Sequence, residues 1–419
     1  MLKNISMPVK WLRDWRILLM MYMHIPDSGS FSMSASYSSL EQLYSYVQSE
    51  HFIGYDPYDT LNAKFPFKKL GKWIPILATQ FQKRNPVNIR PLLGIQKEIN
   101  PKAYGLFINA FSKQYMMTGD QKYLNHCREM ICWLSQHTAK GYTHACWGYN
   151  FDWASPIKVV PAFTPSVVCT AFIVKGLFSY YKATGDLQAK ELIISASQYV
   201  LEDLPRYQNE HGICISYTDI QMDICYNANL LGAEILGYAY SLTGVEEYRT
   251  LARQALDFTV HYQHEDGRWN YSLNLETGKE REQIDFHQGY VLESAWLIIS
   301  LCKFGDTYND YLKKGLSFYK EMQFYPDGRS LWRLPRIWPV EIHNQSQGII
   351  TFSKLQNFSA SYRLFAKTIA EWTIKNMQDK NGYFHYQKHK WYTIKIPYMR
   401  WSQAWMYLAL TDLIYNNKS

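Results

Sequence analysis

The stretch TGDQKYL, residues 118–124, ends one helical pattern and starts another within seven positions. A glycine just past an apolar stripe marks a left-handed helix stop, and the acid after it is a good cap for the next helix. The same punctuation returns as TGDLQAK (184–190), TGVEEY (243–248) and FGDTYNDYL (304–312). The glycines at 119, 185, 244 and 305 are spaced by 66, 59 and 61 residues. A second landmark falls between them: HGICISY from 211, DGRWNY from 266, DGRSLW from 327 and NGYFHY from 381. Glycine followed by alternating aromatics reads as a tight turn and a short extended segment.

The unit is therefore about 60 residues of helix, turn, helix, Asp-Gly turn and loop. Both helices carry an apolar stripe at helical period, for example Val167, Ala171, Val174, Phe178 and Tyr181 in a first helix. Tyr308, Leu312, Gly315, Tyr319 and Met322 do the same in a second. Units start near residues 100, 164, 227, 286, 345 and 400, and the sixth has room for only one helix before residue 419. The amphipathic segment SLEQLYSYVQSE (39–50) is its natural partner. Six hairpins closed by the N-terminal segment predict an all-α (α/α)6 toroid, a six-hairpin barrel with short β segments after the outer helices. Linear helical solenoids repeat at roughly 34–47 residues and lack the extended segment, which disfavours them. The expected organisation is an N-terminal extension, 1–36, and one toroid domain of catalytic type, 37–419.

Composition narrows the functions. The chain has 44 Lys+Arg against 36 Asp+Glu, a dispersed +8 with no basic stripe, which argues against nucleic acid. Aromatics make up 16 % of residues, with 34 Tyr and 14 Trp, suited to cores and to sugars with apolar faces. Seven cysteines scattered through apolar patterns read as reduced core residues of a cytoplasmic protein. The early apolar run ILLMMYM (17–23) is too short to span a membrane. His385 and His389, and the group Cys132, His137, His144 and Cys146, lack a zinc spacing, so no metal or other cofactor is expected.

In a ring, the first helix of each pair lines the inner wall and begins at a shared mouth. DFHQGY (285–290) is one such entrance; the others are NPKAYG (100–105), FTPSV (163–167), CYNANL (225–230), EIHNQSQG (341–348) and YMRWSQAW (398–405). Capping accounts for one polar residue per helix, including Asn227, Asn229, Asp285 and Thr164. It does not account for His287 with Gln288, for His343 with Gln345 and Gln347, or for Arg400 with Gln403. Two loops add candidates. GYDPYDTLN (54–62) carries Asp56, Tyr58 and Asp59; WGYNFDWASP (147–156) sets Asp152 between Trp147 and Trp153. A carboxylate packed among indoles has a raised pKa and suits a general acid.

The segments IGYDPYDTLN, WGYNFDW, DFHQGYVLES and IPYMRWSQAW give the chain its family likeness. Through them it resembles the six-hairpin toroid proteins of bacterial capsule and exopolysaccharide gene clusters, over most of residues 50–415. More distantly it is similar to unsaturated glucuronyl hydrolases and glucuronyl C5-epimerases. The resemblance implies work on a surface polysaccharide, with other polysaccharide-assembly proteins as further partners, and assigns no residue roles.

Three functions compete. A glycoside-hydrolase-like enzyme acting on an acidic, uronate-containing oligo- or polysaccharide would use Asp152 as acid and Asp285 as base, with Asp56 or Asp59 able to replace either. A uronate lyase or C5-epimerase would exchange protons through His287 or Tyr290. Arg400, Asn227 and Gln288 would then neutralise the developing enolate. A non-catalytic glycan-binding protein would keep the cup alone. Tyr58, Trp147, Trp153, Tyr290, His343, Gln345, Trp401 and Gln403 complete the expected binding surface.

Overall fold

The computed structural model describes residues 33–154 and 159–418. The apolar run at 17–23 and most of the expected extension lie outside the described residues. The first described helix, α1, is Met33–Ser49, and a short helix α2, Trp73–Arg84, follows it. Five hairpins come next: α3 (Pro101–Thr118) with α4 (Gln121–Gln136), α5 (Val167–Thr184) with α6 (Leu187–Glu202), α7 (Tyr226–Thr243) with α8 (Glu246–His261), α9 (His287–Cys302) with α10 (Asn309–Gln323), and α11 (Ile342–Lys354) with α12 (Ala360–Met377). A π-helical turn, Met399–Ala404, leads into α13, Trp405–Lys418.

The inner helices are apolar nearly all round because they are covered on every side; Tyr226–Ala239 of α7 is buried without a break. The outer helices bury one face, as Leu312, Leu316 and Tyr319 do in α10. Each inner helix packs on the next, and α13 packs on both α11 and α3, so the ring closes. The six-hairpin toroid read from the repeat is the observed fold.

The recurring glycines have a steric cause. Gly382 has φ +92°, and a Cβ there would lie 2.4 Å from the Gln42 carbonyl of α1. Gly328 stands in the same relation to Thr368 of α12, at 2.6 Å. Each Asp-Gly or Asn-Gly turn therefore presses on the outer helix of the following hairpin, where only glycine fits. Gly382 shows that α1 is the outer helix of the sixth hairpin. Gln378 seals that contact, accepting from Ser39 Oγ at 2.8 Å and donating to the Ser39 carbonyl at 3.1 Å.

Short antiparallel ladders follow the outer helices. Trp153–Ala154 pairs with Val159–Val160, and Arg206–Asn209 pairs with Gly212–Ile215. Two three-stranded sheets add Ile224–Cys225, Ser272–Leu273 and Glu280–Arg281, and then Val340–Glu341, Gln387–Lys388 and Thr393–Ile394.

Across the ring's interior runs a chain of charges, one from each inner helix, in the order Lys113, Asp412, Lys354, Glu293, Lys175, Glu234, all buried except the partly exposed Lys113 and Lys354. Lys354 is 2.6 Å from Glu293 and 3.4 Å from Asp412; Lys175 is 3.2 Å from Glu293 and 3.0 Å from Glu234; Lys113 pairs with Asp412. Three cations meet three carboxylates, so this floor is internally neutral. Burial works against the Glu293 charge, but Lys175 and Lys354 outweigh it and hold that carboxyl well below its ordinary range.

Candidate functional site

The first turns of α3, α9 and α11 and the π-helical turn before α13 supply the helical part of the site. His287 opens α9, and its Nδ1 lies 2.5 Å from Asp285 Oδ1. Asp285 also accepts from Gln283 Nε2 at 2.9 Å and faces Arg333 at 3.5 Å. Burial alone would raise the Asp285 pKa; His287, Arg333 and the hydrogen bonds outweigh it and hold the carboxylate below its ordinary value. The carboxylate thus fixes one ring nitrogen of His287, and Nε2 has no hydrogen-bond partner among the described residues.

Beside it, His343 at the start of α11 lies in an aromatic sleeve, stacked on Phe286 at 4.1 Å and 4.5–4.6 Å from Trp405 and Trp401. Its Nε2 is 2.6 Å from Tyr290 Oη. Burial, then the charges of Lys102, Arg400 and His287, drive its pKa well below 6.5, so it is neutral. Arg400, in the π-helical turn, makes a two-pronged contact with Asp56 (Nε–Oδ2 2.7 Å, Nη2–Oδ1 2.8 Å). Burial opposes the Arg400 charge and Asp56 more than restores it. Its guanidinium lies 5.0 Å over Tyr149 and 4.9 Å over Trp401. Behind this pair, Arg90 holds Asp59 at 2.7 Å; burial still pushes Asp59 up to about 6. Tyr58 packs 5.4 Å from Trp401, whose Nε1 donates to Glu341 at 2.7 Å.

Two members of this cluster were not singled out in the sequence. Lys102, at the second position of α3, is buried with its ammonium 4.0 Å over Phe172, 5.3 Å over Trp405 and 5.6 Å over Tyr290. It forms no ion pair among the described residues. Burial, then the Arg400 charge, takes its pKa well below 10.5. It is the single charge in the run PKAYGLFINAF (101–111), a signal that could have found it. Glu341 is the other: it accepts from Trp401, Trp332 (3.1 Å) and Gln387 (2.9 Å). A carboxylate held by indoles does occur here, at Glu341 rather than at Asp152.

Asp152 has a different environment from the one its neighbours in sequence imply. It pairs with Lys68 and accepts from the Ala162 amide at 2.8 Å. Trp147 is turned into the core, its Nε1 donating to the Leu134 carbonyl at 2.9 Å. Trp153 stands 6.4 Å from Tyr217. Asn227 accepts from the Cys225 thiol at 3.0 Å. The three glutamines have a shared structural use. Gln288 clamps both backbone groups of Trp269; Gln403 does so to Phe384, at 2.8 Å in each direction. Gln345 takes the Ser330 amide at 2.7 Å and donates to the Gly328 carbonyl at 3.2 Å. Each ties an inner helix to the extended segment after the preceding Asp-Gly or Asn-Gly turn. Ser166 and Asn100, rather than Thr164, cap the first two inner helices. Among the described residues, no group of three or more His, Cys, Asp or Glu side chains is placed to hold a metal ion.

A closed ring of six helical hairpins with a polar, aromatic-lined mouth defines the class: a toroid of the six-hairpin glycosidase type. The unsaturated glucuronyl hydrolase specific for heparin superposes with a TM-score of 0.61 at 13 % identity, covering 92 % of this chain and 96 % of that one. The unsaturated glucuronyl hydrolase of Streptococcus agalactiae gives 0.59 at 14 %, covering 91 % and 90 %. Cellobiose 2-epimerase from Spirochaeta thermophila gives 0.56 at 12 %, covering 76 % and 86 %. No curated protein sequence matches the chain. Residues 60–287, more than half of the chain, match the model of the beta-L-arabinofuranosidase GH127 catalytic domain, and the chain belongs to that family. It is of the carbohydrate-active, glycoside-hydrolase-like kind.

Proposed function

We propose that the ring's mouth binds a carboxylate-bearing saccharide, a uronate-containing oligo- or polysaccharide, and moves a proton at the carbon next to that carboxylate. The observation that carries this reading is the pairing of two features. Lys102 is a buried lysine that forms no ion pair among the described residues and lies within the field of Arg400. The same mouth contains an Asp285–His287 dyad whose other ring nitrogen has no hydrogen-bond partner among the described residues. An anion entering the mouth relieves the first, and the second is the arrangement of an oriented general base. His287 Nε2 would take the proton, and Lys102 with Arg400 would hold the charge that develops on the carboxylate. Return of a proton from the other face would epimerise the sugar; loss of the substituent one carbon further on would be elimination.

Glycoside hydrolysis is the second reading. The family favours it, and Glu341 and Asp285 are the carboxylates it would use. Residues 37–419 form the catalytic-type domain in either case. The resemblance to capsule-cluster proteins supports a place in surface-polysaccharide assembly, and the seven free cysteines support a cytoplasmic setting. No helix among the described residues is long and apolar enough to cross a membrane.

The test is incubation of acidic oligosaccharides with the protein in deuterated water. Deuterium at C5, or an ultraviolet-absorbing double bond, with turnover lowered roughly 10²–10⁴-fold by His287→Gln, is the expected result. A new reducing end without either signature means hydrolysis, and no change with binding intact means a glycan-binding protein.

A further inference from the structure

Helix α2 is built inside out. Its Gln82 is buried, whereas Trp73, Leu77 and Phe81, at i, i+4 and i+8, are 59 %, 60 % and 63 % exposed. Ile74, Leu70 and Phe65, close to the stripe in sequence, are also 41 %, 47 % and 51 % exposed. Large contiguous apolar surface on one side of a helix marks a docking face, because water alone would not keep it. The charge around it has one sign. Between Asp59 and Glu98 the chain has eight basic residues and no acidic one, with Lys64, Lys68, Lys69, Lys72, Lys83 and Arg84 around the apolar stripe.

We propose that residues 64–84 dock this protein on an anionic membrane surface, with Trp73, Ile74, Leu77 and Phe81 at the level of the lipid headgroups. An exposed apolar stripe with tryptophan at one end, flanked by lysines, is the chemistry that partitions into a charged interface. The charge pattern sets this occupant apart from the chain's own residues 1–32. Those have four basic residues (Lys3, Lys10, Arg13, Arg16) against Asp14 and Asp27, the same net sign as the patch. The surface is also joined to the mouth: Lys68 pairs with Asp152, and Lys83 lies 3.8 Å over the Tyr58 ring. Docking therefore sets the rim of the candidate site beside the headgroups.

The test is co-sedimentation of the full chain with phosphatidylcholine–phosphatidylserine vesicles and with vesicles of phosphatidylcholine alone. Binding should require the anionic lipid and weaken with salt. Leu77→Asp with Phe81→Asp should lower it about tenfold or more, and Lys69→Gln with Lys72→Gln by a smaller factor confined to the anionic vesicles. Thermal stability without vesicles should not change, since both side chains face solvent. Failure of the unaltered chain to bind, or equal binding by the aspartate variant, overturns the proposal. A lower melting temperature for that variant assigns the face to residues 1–32 instead. A dimer by light scattering that Leu77→Asp dissociates assigns it to a second copy.

Discussion

The floor and the mouth of the ring are both crowded with buried charge, and they treat it in opposite ways. On the floor every lysine has a carboxylate and every carboxylate a lysine, so three positive and three negative groups cancel. In the mouth Asp56 answers Arg400, Asp59 answers Arg90, and Asp285 answers His287, but nothing among the described residues answers Lys102. Both regions lie on the same six helices, with Lys113 eleven residues below Lys102 on α3, on the order of 16 Å along the axis. A neutral network that takes one residue from every helix holds the staves of the barrel in register. On the function proposed above, the lysine left over a few turns above it would receive the saccharide's anion.

Substituting a lysine by methionine in each region sharpens that contrast. On the floor, Lys175→Met leaves Glu234 without a cation in the interior and Glu293 with Lys354 alone. Breaking a buried pair from one side costs about 3–5 kcal/mol, so chemical denaturation should show a large loss. In the mouth, Lys102→Met removes a desolvated lysine that forms no ion pair among the described residues. The fold should gain about 1–3 kcal/mol, while affinity for an acidic saccharide falls tenfold or more. Two losses of similar size would mean that Lys102 is structural, and the distinction between mouth and floor would fail.

The glutamine clamps are the next step down. Gln403→Leu removes both contacts to the Phe384 backbone and leaves that amide and carbonyl unpaired in a buried position. A loss of about 1–3 kcal/mol follows. KM for any saccharide should stay unchanged, because the amide is spent on the fold; a raised KM with stability intact would return Gln403 to the binding surface.

These glutamines also show where the sequence stops being readable. The ring was legible because its signal repeats: a left-handed glycine ends helix after helix, and the Asp-Gly turn recurs with it. The closing role of α1 was legible for the same reason, as the one amphipathic segment left without a partner. At the mouth, position was legible and employment was not. Gln288, Gln345 and Gln403 sit where a ligand-binding amide would, yet their partners lie 15–19 residues back, on an extended segment whose register only the fold sets. Asp152 misled for a related reason: adjacency to tryptophans in sequence is not adjacency in space, and Lys68 comes from a different loop. Lys102 was visible as a lone charge in an apolar helix. That no carboxylate among the described residues comes within ion-pair distance of it is a property of the rest of the ring.

The smallest effect concerns protons. The Lys102 pKa is depressed first by burial and then by the nearby positive charge of Arg400; Lys175 depresses it further, and Asp56 and the buried Cys169 oppose the shift. A bound carboxylate favours the ammonium over the neutral amine, so binding should draw the pKa back up. The sign follows from linkage: affinity is greatest below the pKa of the free protein and falls as pH rises through it, by at most about tenfold per pH unit, roughly 1.4 kcal/mol. Titration calorimetry with an acidic disaccharide, run from mildly acidic to alkaline pH, reads this, and burial with the surrounding charges holds the His343 pKa well below its ordinary value. The same experiment on Lys102→Met should give a flat profile. A flat profile in the unaltered protein would show that the saccharide's charge does not meet Lys102, and would leave Arg400, already committed to Asp56, as the remaining cation for it.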